Sequence, residues 1–236
     1  MRSIDSVKSI LAKIYRWPPR GCVRWGGLRR TSPVSRVFGL DRGTAIDRYY
    51  IEKFLTKSSA LIGGVVLEIG DDYYTKKYGG SRVTRSEILH AVEGNAKATL
   101  IGDLQTGEGI PTNIFDCIIL TQTLQFLYDM KSAVETLHRS LRPGGVALVT
   151  GTGISQISRY DMDRWGEYWR FTTLSAMRMF EEVFGKGQIK VSSHGNVLSA
   201  TAFLQGISAG ELRVSELDVY DQDYEVVITI EAIKRI

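Results

Sequence analysis

Short runs of apolar, mostly branched residues recur along the chain and alternate with segments long enough to form a helix or a loop. The first five runs cover residues 63–69, 86–92, 98–102, 115–120 and 144–151. Runs without an alternating polar face are typical of strands that are buried on both sides, as in parallel sheets. Two further strands are expected in GQIKVSSHG and YEVVITIEAIK near the carboxyl end. The pattern predicts one doubly wound α/β sheet of seven strands.

Helices are predicted between these strands from the spacing of apolar residues. A helix at about residues 45–58 precedes the first strand, with its inner side formed by Ile46, Tyr49, Tyr50 and Phe54. A second helix ends before Arg142-Pro143-Gly144-Gly145, which is a strong stop signal. A third is capped by Thr172 or Thr173, and its apolar side is expected to comprise Leu174, Met177, Phe180 and Phe184.

The amino-terminal arm carries most of the basic character of the chain. Residues 1–30 have a net charge of +7 and the remainder −3, within a total of +4. Residues 4–16 have the spacing of a short amphipathic helix, which Trp17-Pro18-Pro19 ends. We therefore expect a basic arm at residues 1–44 and one domain at residues 45–236. Such an arm can attract a polyanion or an anionic membrane surface. The alternative is a solvated helix followed by a tail that packs on the domain.

The cysteines and histidines do not form a recognisable metal site. Cys22 and Cys117 are too few for a disulfide framework, and Cys117 is expected in the core. His90, His138 and His194 are scattered along the chain. Asp71-Asp72 is a candidate carboxylate pair for a metal, but a role in a turn is favoured. No apolar run is long enough to cross a membrane, so a cytoplasmic protein, peripheral to a membrane if the arm binds one, is expected.

Polar residues follow the first four predicted strands at the point where each strand ends. They are Gly70 and Asp71 after the first strand, His90 in the second, Asp103 after the third, and Thr121 and Gln122 after the fourth. Ligands of open α/β sheets bind beyond the carboxyl ends of the strands. The sequence therefore predicts a binding site at this edge.

Four segments in these positions carry a resemblance to a known family. VVLEIG, IGDL, FDCIILTQTLQFL and LRPGGVALV are similar, in order and spacing, to successive motifs of class I S-adenosylmethionine-dependent methyltransferases. The resemblance covers about residues 45–190 and implies a Rossmann-like fold. YWRFT and PVSRVFGLDRGTAIDRYYIEKFL resemble segments of a subgroup found in glycan and natural-product biosynthesis.

The resemblance implies roles for individual residues of this chain. Glu68, Gly70 and Asp71 would form the turn near the methionine part of S-adenosylmethionine. Asp103 would accept a hydrogen bond from the adenine amino group beside Leu104, and Thr121 and Gln122 would line the sulfonium end. Arg48 would pair with the cofactor carboxylate, because a guanidinium matches a carboxylate bidentately; a solvated surface arginine is the alternative.

Two positions depart from the family pattern. Gly70-Asp71-Asp72-Tyr73-Tyr74 stands where the family has GxGxG, so the two tyrosines must turn away or cover the ligand. His90 stands where an acidic residue binds the ribose hydroxyls. A histidine can both donate and accept a hydrogen bond, so His90 is expected either at the ribose or in the core.

The segment after the fifth strand, residues 153–171, is long, polar and aromatic, as a lid over an acceptor would be. It is called the lid below. Asp161 or His194 is expected as the base that takes the proton of a hydroxyl acceptor. Flat aromatic faces suit sugars, and the alternative is plain packing of the lid. The expected acceptor-binding residues are Tyr160, Arg164, Trp165, Tyr168 and Trp169.

The sequence thus favours an O-methyltransferase that acts on a sugar hydroxyl of a glycan intermediate or of a glycosylated small molecule. A non-catalytic binding or scaffolding protein with a degenerate cofactor loop is the alternative from another class. A nucleic-acid methyltransferase is a third reading. The acidic remainder of the chain and the lack of an NPPY-like motif argue against it.

Overall fold

The computed structural model describes Pro18 and residues 21–235. The amphipathic helix predicted over residues 4–16 therefore lies outside the described residues. The described residues up to Pro33 and those from Val34 onward form separate compact units. The described part of the first unit contains a 3-10 turn at Gly26–Leu28.

Seven strands of the second unit form one sheet in the order β3-β2-β1-β4-β5-β7-β6. Strands β1 to β5 pair in parallel, and β7 runs antiparallel to both β5 and β6. The predicted seven-stranded α/β sheet is confirmed. The strands are β1 Gly64–Ile69, β2 Val83–His90, β3 Leu100–Ile101, β4 Phe115–Thr121, β5 Leu141–Thr152, β6 Ile189–His194 and β7 Val227–Ile233.

Helices cover both faces of the sheet. Helix α2, Met130–Ser140, is capped by Asp129, whose carboxylate accepts a hydrogen bond from the backbone amide of Ser132. In the same way the hydroxyl of Thr172 caps α4 by accepting the amide of Ser175, as predicted. The helices are α1 Ile46–Lys57, α2 Met130–Ser140, α3 Arg159–Trp165, α4 Thr173–Phe184, α5 Val197–Gln205 and α6 Val214–Leu217.

The side chains of β4 alternate between two apolar layers. Ile118 and Leu120 pack in the layer that contains α2 and α4. Cys117 and Ile119 pack in the layer that contains α1 and α5. Because both faces are covered, β4 reads as a continuous apolar run in the sequence. The expected core position of Cys117 is confirmed, and burial raises the pKa of its thiol.

The predicted inner face of α4 is partly wrong. Leu174 and Met177 are exposed, and the buried stripe consists of Ala176, Phe180 and Phe184. These three residues are spaced by four and lie along one side of the helix, while Leu174 falls on the opposite side. The apolar residues of this helix are numerous enough to form more than one apolar side. Packing on the sheet determines that the side with Ala176, Phe180 and Phe184 is buried.

Residues 34–44 belong to the larger compact unit, although the arm was expected to extend to residue 44. The amides of Val34 and Ser35 both donate to the carbonyl of Gln205 at the end of α5. The hydroxyl of Ser35 accepts the amides of Val37 and Gly39. This pinned segment, residues 34–44, thus forms an ordered wall of the domain.

The end of α5 meets this pinned segment too closely for any residue but glycine. Gly206 has a φ of +67°, and a Cβ there would collide with the carbonyl oxygen of Ser35. Gly185 ends α4 with a similar φ of +89° but has open space around it. Gly206 is left-handed, with a ψ of 38°, whereas Gly185 has a ψ of 152°, in a region that glycine alone adopts readily, so the close contact is specific to Gly206.

We expect Gly206→Ala to lower the free energy of unfolding by at least ~2 kcal/mol, because the added Cβ would collide with the carbonyl oxygen of Ser35 and would also strain a left-handed backbone, which alone costs about 1 kcal/mol. Urea unfolding of the variant and the wild type provides the measurement. A loss of only about 1 kcal/mol would show that the close approach carries no stability.

Candidate active site

The strand order reverses between β1 and β4, which lie side by side in the sheet. Right-handed crossovers from these two strands leave to opposite faces, so a crevice opens at their carboxyl ends. The structure brings the predicted strand-end residues to this edge. The turns are also tied to each other, because Asn95 donates its side-chain amide to the carbonyl of Gly70 and Gly102 donates its amide to the carbonyl of His90.

The turn after β1 leaves open space beside a glycine. Gly70 has a φ of +82°, and a Cβ there would meet no atom within 4 Å. A ligand can therefore approach this backbone closely. Asp71 accepts the amide of Tyr73 through its carboxylate, so it stabilises the turn in addition to any contact with a ligand.

Glu68 holds the residues that follow the turn after β1. Its buried carboxylate accepts the amide of Tyr74 at 3.0 Å and that of Thr75 at 2.7 Å. Burial raises its pKa, and these hydrogen bonds oppose the rise. With both oxygens engaged, Glu68 holds the loop that carries Gly70 rather than the cofactor itself.

The two tyrosines of this loop turn away from the crevice. Tyr73 is exposed, and the ammonium of Lys77 lies 5.3 Å from its ring centre. Tyr74 packs in the apolar layer beside α1 and stacks on Tyr78. The glycine-poor loop therefore keeps the space beside Gly70 open.

His90 and Asp103 lie where the ribose and adenine of a nucleoside are expected. The Nδ1 atom of His90 lies 2.6 Å from the carbonyl oxygen of Val92, and its ring meets Trp165 edge-on at 6.1 Å. One oxygen of Asp103 accepts the amide of Gln105 at 2.7 Å. Leu104 is buried in the apolar layer beside them. No hydrogen bond from the described residues engages the other carboxylate oxygen of Asp103, so that oxygen can accept one from a ligand.

Gln122 follows Thr121 with a left-handed backbone, φ +49°. Such a conformation is uncommon for a residue with a side chain and often marks a functional site. Its amide donates to the carbonyl of Thr150. Five buried side-chain polar atoms have no partner among the described residues, and two of them, Nε2 of Gln122 and Oε1 of Gln125, lie together at this strand end. Unsatisfied buried groups are rare, so they point to a ligand at this strand end.

A cavity of about 450 Å³ opens beside Gln122. The pinned segment, the start of α1, the end of β5 and the lid after β5 line it. Arg48 lies in this cavity, and its guanidinium reaches the hydroxyl of Tyr74 at 3.5 Å. The cavity brings together four predicted residues: Arg48, Gln122, Tyr160 and Asp161.

Asp161 is held in the first turn of α3. Ser158 caps this helix and donates its hydroxyl to Asp161 Oδ2 at 2.6 Å. Glu167 lies in the same cavity, accepts the amide of Ser158 at 2.8 Å and pairs with Arg170 at 2.7 Å. The sequence interpretation missed Glu167, because nothing local distinguishes it from a surface glutamate.

An aromatic shelf, formed by Tyr128, Tyr168 and Trp169, lies outside the cavity wall. The ring of Tyr128 meets Tyr168 at 5.3 Å and Trp169 at 6.0 Å. Hydrogen bonds fix the shelf. The indole of Trp169 donates to the carbonyl of Leu127, and the amide of Tyr168 donates to the carbonyl of Gln125. All three side chains are exposed. The sequence interpretation did not include Tyr128.

Arg164 and Trp165 occupy the exposed side of α3. The guanidinium of Arg164 lies 3.5 Å from the ring centre of Tyr160, so the two side chains form a cation–π pair. Trp165 contacts His90. The lid therefore touches both the cavity, through Tyr160, and the expected ribose position, through Trp165.

The structure does not bring His194 to this cavity. His194 ends β6 and stacks on Tyr50 of α1 at 5.6 Å. Its Nε2 lies 3.2 Å from the hydroxyl of Thr229. Two smaller cavities beside α1 contain it, together with Lys57. Of the two predicted bases, only Asp161 lies in the cavity beside Gln122.

The structure describes no helix long and apolar enough to cross a membrane. Among the described residues there is also no group of three or more histidine, cysteine or acidic side chains that could hold a metal ion.

The sequence was compared with models of known protein families. A model of the methyltransferase domain family matches residues 70–149, from the turn after β1 to β5. Residues 70–149 are therefore similar to a methyltransferase domain. This match confirms the predicted enzyme class and S-adenosylmethionine as its cofactor. No curated protein matches the sequence significantly.

Solved structures show the same fold at low sequence identity. One is a SAM-dependent methyltransferase from Archaeoglobus fulgidus, with 12% identity, a TM-score of 0.53, and 79% of this chain and 94% of that chain covered. A second is the cyclase SpnF, with 15% identity, a TM-score of 0.52, and 83% and 84% covered. A third is the N-methyltransferase NodS from Bradyrhizobium japonicum in complex with S-adenosylhomocysteine, with 13% identity, a TM-score of 0.50, and 82% and 89% covered.

The buried position of His194 predicts a pH-dependent stability. Burial, with the nearby Lys57 and Lys53, lowers its pKa to about 4, below the value of about 6.5 in an unfolded chain. Between these values the unfolded chain binds a proton that the folded chain does not. The free energy of unfolding is therefore expected to fall as the pH drops through this window.

His194→Gln removes this titration, so its stability should fall less steeply than that of the wild type between about pH 6.5 and about pH 4. Urea unfolding across this range measures both curves. Because all other ionisable groups are common to the two proteins, parallel curves would contradict the assignment.

Proposed function

We propose that this protein is an S-adenosylmethionine-dependent O-methyltransferase that acts on a sugar hydroxyl of a glycan intermediate or of a glycosylated small molecule. The observation that carries the proposal is the cavity that joins Gln122 to Asp161. One end of it lies where the cofactor sulfonium is expected, and the other holds a carboxylate suited to a hydroxyl acceptor.

The cofactor would lie across the crevice between β1 and β4. Arg48 is the proposed partner of its carboxylate, because Arg48 lines the same cavity as Gln122. Gly70 offers its open backbone, and His90 and Asp103 offer polar atoms to the ribose and adenine. Thr121 would line the sulfonium end of the cofactor, and Leu104 would lie beside its adenine.

When bound, S-adenosylmethionine supplies an electrophilic methyl group. The chain must then align the acceptor oxygen and receive its proton. Asp161 is the proposed base, because its carboxylate lies in the cavity and the Ser158 hydroxyl fixes its orientation. His194 is not proposed for this role, since it faces α1.

Aromatic faces beside the cavity support a sugar as the acceptor. Tyr160 lines the cavity, and Arg164 stacks on its ring. The aromatic shelf extends the apolar surface beyond the wall, and Trp165 closes the side near His90. A sugar ring presents C–H patches to aromatic faces and hydroxyls to charged groups, so this mixture suits it.

The scaffolding alternative is not favoured, because the turn at Gly70 is open and the tyrosines that could have blocked it turn away. Binding of an anionic membrane surface remains a prediction for the basic arm, together with a cytoplasmic or peripheral location. All five basic residues that precede Gly21 lie outside the described residues.

We expect Asp103→Ala to weaken the binding of S-adenosylhomocysteine by about 1–3 kcal/mol, because it removes an acceptor from the adenine amino group. Glu108→Ala is the matched control, since Glu108 is an exposed carboxylate in the same loop. Calorimetric titration of folded protein measures both. Equal affinity for the two variants would rule out the adenine assignment.

Asp161→Asn should lower methyl transfer to a sugar hydroxyl by about 10²-fold or more, because the amide cannot accept the proton. Its affinity for S-adenosylhomocysteine should stay unchanged. Asp163→Asn is the control, as this carboxylate lies on the same helix with its side chain 69% exposed. Undiminished turnover by Asp161→Asn with any sugar acceptor would overturn the role of Asp161 as the base.

A further inference from the structure

Two exposed arginines stand at the cavity that contains Asp161. Arg36 belongs to the pinned segment, and Arg159 is the first residue of α3. Their side chains approach the cavity from two different walls. Neither was among the residues that the resemblance implied, and neither has a part in the proposed cofactor site.

The carboxylates of the cavity are already engaged elsewhere. Asp161 accepts the Ser158 hydroxyl, and Glu167 pairs with Arg170. Asp47 accepts the amide of Arg48, and its burial raises its pKa. These acids therefore do not neutralise Arg36 or Arg159.

Neither arginine has its positive charge balanced by a close, buried acidic partner among the described residues. Arg159 lies 3.8 Å from Asp163 in an exposed pair one helical turn apart, and such pairs contribute little. Arg36 forms no ion pair within the described residues. Two guanidinium groups at one cavity thus remain available to an anion.

The backbone that carries Arg36 is fixed. Ser35 anchors it to α5, and the carbonyl of Arg36 accepts the side-chain amide of Gln156 at 2.8 Å. The carbonyl of Gln156 in turn accepts the guanidinium of Arg170 at 3.0 Å. The pinned segment and the lid are therefore joined, which fixes the backbone on both sides of the cavity.

We propose that Arg36 and Arg159 bind a phosphate or diphosphate group carried by the acceptor. Guanidinium groups match phosphate oxygens bidentately and stay charged, so a pair of them is suited to this anion. This inference rests on the proposed function, because it takes the sugar of the acceptor to lie deeper, at Asp161. The anion would hold the activated end of the sugar at the cavity mouth.

A sugar phosphate can be linked to a nucleoside or to a lipid. Exposed Val37 and Leu40 line the same cavity, and an apolar chain would cover them. The phosphate chemistry is common to both sources, and the experiment separates them by using uridine diphosphate and farnesyl diphosphate as probes.

The test titrates inorganic pyrophosphate into the full chain in the presence of saturating S-adenosylhomocysteine. Arg36→Gln and Arg159→Gln are each expected to weaken pyrophosphate binding about tenfold, and Arg36→Lys to weaken it less. Arg178→Gln is the matched control, because it removes an exposed arginine from α4 away from the cavity. Melting temperature and affinity for S-adenosylhomocysteine are expected to stay unchanged in all four variants.

Wild-type protein that does not bind pyrophosphate, or a loss in Arg178→Gln equal to that in the cavity variants, would overturn the anion site. Tighter binding of farnesyl diphosphate than of uridine diphosphate would support a lipid-linked acceptor, and the reverse a nucleotide-linked one. Methylation of an uncharged glycoside without pyrophosphate binding would defeat this inference alone. Binding through both arginines without methylation of any sugar hydroxyl would defeat the proposed function instead.

Discussion

Strands β1 and β4 lie next to each other but send the chain to opposite faces of the sheet, and the proposed cofactor site depends on this divergence. The connection from β1 to β2 carries Tyr74 into the layer that contains α1. The connection from β4 to β5 runs through α2, which packs in the other layer. No crossover therefore fills the carboxyl ends of the two strands. Gly70, His90, Asp103 and Gln122 meet around the space that remains.

The connection after β1 is short, and this gives Glu68 its importance. A five-residue π-helical turn, Thr75–Gly79, and a 3-10 turn, Gly80–Arg82, stand between β1 and β2. So short a connection has few backbone hydrogen bonds of its own with which to hold the turn in place. The buried Glu68 carboxylate fixes two amides at its start, and the Asn95 side chain fixes the carbonyl of Gly70. One glycine is enough because other side chains shape the loop.

The sequence predicted the elements whose signals are local. Apolar runs located the strands, and Thr172 marked the start of α4 because a capping hydroxyl acts within one helical turn. The inner face of α4 could not be predicted as well, since Leu174 and Phe180 are equally apolar. Only the tertiary contact with the sheet distinguishes them.

The same distinction applies to the site. Gly70 and Asp103 were predictable because strand ends can be read from the chain. The supporting role of Glu68 depends on amides six and seven residues away, and the burial of Glu167 depends on Arg170 and Ser158. His194 ends a strand at the same edge, yet its side chain faces α1. A position at a strand end does not determine the direction of a side chain when both faces of the sheet are covered.

The acceptor cavity is built from segments that have no part in the sheet. The pinned segment and the lid form its outer walls, and Gln156 joins them. The proposed cofactor groups lie mainly on strand ends, which the fold itself positions. Residues such as Arg36 and Arg159 can therefore differ between proteins of this fold without disturbing the strand ends. The shared fold of NodS and SpnF is consistent with this separation, because proteins named for different reactions have the same sheet. For this chain, the identity of the acceptor must accordingly be argued from the charges and aromatic faces of the cavity walls.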